Sequence, residues 1–61
     1  MEVVEQMKAF VYTKEQKPQK VAIINQVASV YVSERTIYII SASGAEFTFN
    51  TEKYKTTIYQ N

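Results

Sequence analysis

Residues 28–50 read ASVYVSERTIYIISASGAEFTFN, and the alternation inside this stretch decides the fold. Ala28, Val30 and Val32 alternate with Ser29, Tyr31 and Ser33, the period of two that belongs to a strand with one buried face. The polar break at Ser33-Glu34-Arg35-Thr36 is followed by a second apolar run, Ile37 to Ile40. Beyond Ala42-Ser43-Gly44, a third run, Glu46 to Asn50, alternates again. Gly44 is the only glycine in the chain. A three-residue hairpin loop that ends in a bulge needs positive φ at its last position, which glycine adopts without a Cβ clash.

The two turns check one another through register. A hairpin tip at Glu34-Arg35 sets Val32 opposite Ile37 and Val30 opposite Ile39. A loop at Ala42-Ser43-Gly44 sets Ile39 opposite Phe47 and Ile37 opposite Phe49. Both pairings put Val30, Val32, Ile37, Ile39, Phe47 and Phe49 on one side, and a slip of one residue at either turn would break the agreement. The opposite side carries Ser29, Tyr31, Ser33, Thr36, Tyr38, Ile40, Glu46, Thr48 and Asn50.

Outward from this centre the signals are more varied. Met7, Ala9 and Val11 alternate with Lys8, Phe10 and Tyr12, so MKAFVYT reads as a strand with apolar residues on both faces. The pattern does not choose the inward one. Residues 14–19, KEQKPQ, form a loop: proline removes a backbone donor that a central strand would need. KVAII, residues 20–24, returns as a short strand antiparallel to the first, and Asn25-Gln26 marks a bend before the central meander. From Val21 to Ser33 there is no charged residue, which predicts a segment that is either interior to the assembly or an aggregation hazard. Residues 2–6, EVVEQ, suit a strand or a first helical turn equally.

At the other end, TEKYKTTIYQ can be a strand in which Tyr54, Thr56 and Ile58 share a face. It can also be a helix capped by Asn50 or Thr51. The β-branched pair Thr56-Thr57 favours the strand. The expected architecture is therefore all-β: one domain over residues 1–61, an antiparallel meander of roughly five or six short strands closing into a compact barrel or a two-layer sheet.

Length and composition limit what such a domain can do. A chain of 61 residues without cysteine or histidine has neither disulfides nor the usual zinc ligands as staples. Its stability is expected to be about 3–5 kcal/mol at most, which favours a homo-oligomer as the way to bury more surface. No apolar run approaches the ~20 residues that span a bilayer, so no membrane association is expected. MEVVEQMK is unlike a signal peptide, and cytoplasmic residence is the default.

Catalysis is tested by inventory. With no histidine, cysteine or aspartate, the histidine triads and thiol nucleophiles are excluded, and the only carboxylates are six glutamates. Glu34 and Glu46 flank turns and read as charges that keep hairpin ends from pairing edge to edge. No catalytic residue, metal ligand or cofactor is assigned, and no motif places the chain in a family.

Two binding features remain. Tyr31, Tyr38 and Ile40, with Thr48 beside them, form an outward patch whose aromatic pair is at minimum a cross-strand contact worth about 0.5–1 kcal/mol. As a contact surface it fits a protein partner, because tyrosine buries area at little entropic cost. Strand addition at a free edge is a second route to such a partner. The alternative reading is a single-stranded nucleic-acid binder that uses Lys14, Lys17, Lys20, Arg35, Lys53 and Lys55 with neighbouring tyrosines. Against it stand Glu15 and Glu52 among those lysines, and a net charge of only +1. The leading expectation is a non-catalytic, self-associating protein-interaction module.

Overall fold

The computed structural model describes residues 7–60, and the 2–6 segment with its strand-or-helix ambiguity lies outside them. The chain forms six strands: β1 (Met7–Thr13), β2 (Lys20–Ile24), β3 (Val27–Ser33), β4 (Thr36–Ser41), β5 (Glu46–Asn50) and β6 (Tyr54–Gln60). They are arranged as two antiparallel three-stranded sheets, β2-β1-β6 and β3-β4-β5. This is the two-layer alternative. The tail is strand β6 rather than a helix, paired along its whole length with β1.

The second sheet follows the register read from the sequence. Val30 faces Ile39, Val32 faces Ile37, Ile39 faces Phe47 and Ile37 faces Phe49. Glu34 and Arg35 have φ of 49° and 68°, so the first tip is a turn with both central residues left-handed, the geometry whose twist matches paired strands. The second loop closes with Ser41 N–H donating to the Ala45 carbonyl at 2.9 Å and Gly44 N–H donating to the Ser41 carbonyl at 3.0 Å. Gly44 has φ 94°, the conformation that explains the single glycine.

The first sheet settles the face of β1. Ala9 and Val11 are fully buried, whereas Phe10 and Tyr12 look outward. Small side chains on the inner side let β1 approach β3, the main contact between the layers. The core consists of Ala9, Val11, Ile24, Val27, Ile37 and Ile39, with Met7, Ala22, Val30, Phe49 and Tyr54 packed around it. Phe49 and Tyr54 meet across the layers edge to face, ring centroids 5.8 Å apart. The cover over the buried part of the central meander is thus supplied by the first sheet.

Three expectations need correction. The uncharged run from Val21 to Ser33 is not interior to the single chain: within it only Ile24 and Val27 are buried, because β2 and β3 are edge strands and Val21, Ile23 and Tyr31 face solvent. A register shift between Val27 and Ser29 changes the strand's phase, so Val27 turns into the core and Ala28 turns out. Val32 and Phe47 lie in the inward phase yet remain exposed, Val32 at 63%. The molecule is elongated, 44 × 24 × 13 Å, and the first sheet does not reach far enough to cover them.

Turn chemistry joins the layers. The bend at Gln26, with φ 54°, accepts a 2.7 Å hydrogen bond from Ala42 N–H. Asn50 caps no helix; its Oδ1 accepts from Glu52 N–H at 2.7 Å and tightens the turn into β6. On the inner face of β6, Thr56 sits opposite Val11, and its buried Oγ1 makes no hydrogen bond. An unpaired buried hydroxyl costs about 1–3 kcal/mol, so Thr56→Val is expected to stabilise the chain by about 1 kcal/mol. A thermal melt checks this: the midpoint should rise by roughly 4–8 °C, and a fall would show that the hydroxyl is bonded.

Candidate functional site

Each sheet turns one face to its partner and the other to solvent, so candidate chemistry lies on two open outer faces. On the second sheet, Tyr31 and Tyr38 are directly opposed on β3 and β4. Their rings stack with centroids 4.9 Å apart and planes 11° from parallel. Thr48 is the β5 partner of Tyr38, and Ile40 lies between Ser29 and Glu46. Alternation along the strands, with Ile37 and Ile39 buried, is what places Tyr38 and Ile40 outward together. The patch named from sequence is therefore one contiguous surface, and Glu46 is the only charged residue in its three strands.

The basic residues do not form one site. Lys14 and Lys17 lie in the loop closed by Thr13 N–H donating to the Gln19 carbonyl at 2.9 Å. Lys14 N–H donates to the Lys53 carbonyl at 2.9 Å, and both lysines border a shallow depression with Thr13, Glu15, Glu52 and Tyr54. The carboxylates there dilute the charge. Arg35 is turned to Glu52 across 3.2 Å, an exposed pair worth no more than about 1 kcal/mol.

Lys20 and Lys55 part company with the rest. They flank Tyr12 on either side across the first sheet, since Tyr12 pairs with Lys20 of β2 and with Lys55 of β6. Lys20 Nζ stands 4.6 Å above the centre of the Phe10 ring. Phe10 in turn touches Tyr59, ring centroids 4.9 Å apart. Sequence reading did not group Lys8, Phe10, Tyr12 and Tyr59, which share this face. Their strands meet only through the pairing of β1 with β6, and no local pattern announces that contact.

Among the described residues no group of histidine, cysteine, aspartate and glutamate side chains is placed to hold a metal ion, and no helix is long and apolar enough to cross a membrane. The fold and these faces define a small two-layer β protein whose side-chain chemistry is displayed on open sheet surfaces. No protein-family model, no curated protein and no solved structure matches the chain.

Proposed function

We propose that the protein is a non-catalytic binding module that docks protein surfaces through the outer face of the second sheet, with a second copy of the chain as one such partner. The observation that carries this is the flat Tyr31–Tyr38 stack, half-exposed on a nearly uncharged face. Two rings already held parallel lose little freedom on burial, and a planar uncharged surface is one that a like surface can cover without stranding charge.

Tyr31→Ser and Tyr38→Ser test the reading. Both positions face outward on a sheet whose core residues are untouched, so circular dichroism should stay unchanged. Sedimentation velocity over a concentration series should show the wild type self-associating and each variant about tenfold weaker, the effect of losing a tyrosine anchor. Wild-type self-association in both variants, or none in the wild type at any concentration, would remove this face from the proposal.

A further inference from the structure

Charge divides between the two sheets more cleanly than the sequence suggests. Among the described residues, every charged residue within β1, β2 and β6 is a lysine, namely Lys8, Lys20 and Lys55, whereas the only one within β3, β4 and β5 is Glu46. All three lysines point to the same side. Ala9 and Val11 fill the inward positions of β1, so Lys8 shares the outward phase with Phe10 and Tyr12. Lys20 lies over Phe10, and Lys55 shares the phase of Tyr59, which touches Phe10. The face carries a cluster of rings, Phe10, Tyr12 and Tyr59, with exposed Ile23 beside Phe10 and the three ammonium groups around them. Tyr12, Pro18, Lys55, Thr57 and Tyr59 line a shallow hollow on it.

We infer that this outer face of the first sheet is a binding site for single-stranded nucleic acid. The inference is independent of the proposed tyrosine-face docking, which uses the opposite side of the molecule. Lysine on an edge strand is commonly a guard against sheet-to-sheet pairing, and Lys20 and Lys55 do lie on edges. Lys8 lies on β1, the central strand, where there is no edge to guard. The ligand must offer regularly spaced negative charge together with flat π surfaces. A phospholipid surface offers the charge without the rings, and a run of acidic residues likewise offers carboxylates without them. A single strand offers both: its bases stack on aromatic side chains while its phosphates follow the lysines. In a duplex the base faces are already stacked and cannot reach Tyr12 or Tyr59.

The test uses the full chain and a fluorescein-labelled oligothymidylate of about 12 nucleotides, read by anisotropy. With three phosphate contacts the salt slope should be about −2, so affinity falls about 20-fold from about 50 mM to about 200 mM salt. Lys20→Gln/Lys55→Gln should flatten the slope to about one third of that. Tyr59→Ser should weaken binding about tenfold with little change in slope, since stacking carries no counterion release. No anisotropy change at low salt would overturn the inference. So would a Tyr59→Ser variant that binds like wild type, equal affinity for the matching duplex, or tighter binding to phosphatidylserine vesicles than to the oligonucleotide. Sedimentation of the same samples reads the tyrosine-face association separately, so the two readings fail independently.

Discussion

Replacing Ile39 with alanine is expected to remove most of the protein's stability at 25 °C. Ile39 is the largest fully buried side chain together with Val11, and it stands at the centre of β4, the middle strand of its sheet. Its strand is paired on both sides, to Val30 of β3 and Phe47 of β5, so the backbone around Ile39 is held in register and does not close the space left behind. An isoleucine-to-alanine change at such a site costs about 2–5 kcal/mol. A domain of this size without staples has about 3–5 kcal/mol in total. The check is a urea titration followed by circular dichroism at low protein concentration, where self-association adds nothing to stability. Val32→Ala is the comparison: Val32 has the same inward phase but is largely exposed, and its loss should be within about 0.5 kcal/mol. Equal losses at the two positions would mean that the layers overlap differently from the arrangement described.

That contrast between Ile39 and Val32 also shows how far sequence pattern reaches. The phase of the central meander was legible because two turns, Glu34-Arg35 and Ala42-Ser43-Gly44, independently place the same six side chains on one side. Phase, however, says which way a side chain points and nothing about whether another layer extends over it. Val32 and Phe47 point inward and stay wet for that reason. The face of β1 was illegible for a related one: Ala9 and Val11 compete with Phe10 and Tyr12, and the outcome depends on how closely β1 must approach β3. The shift at Ala28 likewise has no local signature, since its effect is to bury Val27, a residue that fits either side of the bend.

The candidate sites divide along the same line. The Tyr31–Tyr38 pair is separated by a short hairpin, and its contact follows from turn length alone. The grouping of Lys8, Lys20 and Lys55 needs β1 to lie between β2 and β6, and β6 comes from the far end of the chain. Reading lysines by their nearness in sequence instead grouped Lys14, Lys17 and Lys20. The fold separates these, leaving the first two in a loop and turning the third over Phe10. Pairing of distant strands, rather than local composition, therefore creates the one face in the molecule that is both aromatic and free of carboxylates among the described residues.

The largest gain in stability is expected at the first hairpin tip. Glu34 and Arg35 both occupy the left-handed region, with φ of 49° and 68°, although neither is a residue that favours it. Side chains with a Cβ carry about 1–2 kcal/mol of strain there, which asparagine and glycine relieve. Asn-Gly is the pair that this turn geometry prefers. The double change Glu34→Asn/Arg35→Gly gives up the exposed Arg35–Glu52 contact, worth at most about 1 kcal/mol, and glycine adds some freedom to the unfolded chain. The balance is a gain of about 1–2 kcal/mol, or roughly 5–15 °C in Tm. Denaturant unfolding checks it: the midpoint should rise while the m-value stays fixed, because the surface exposed on unfolding is the same. A single Glu52→Gln change separates the two contributions by removing the ion pair without touching the turn. If the double variant is no more stable than wild type while Glu52→Gln is clearly destabilised, the ion pair outweighs the backbone strain. The tip would then be held by its charges.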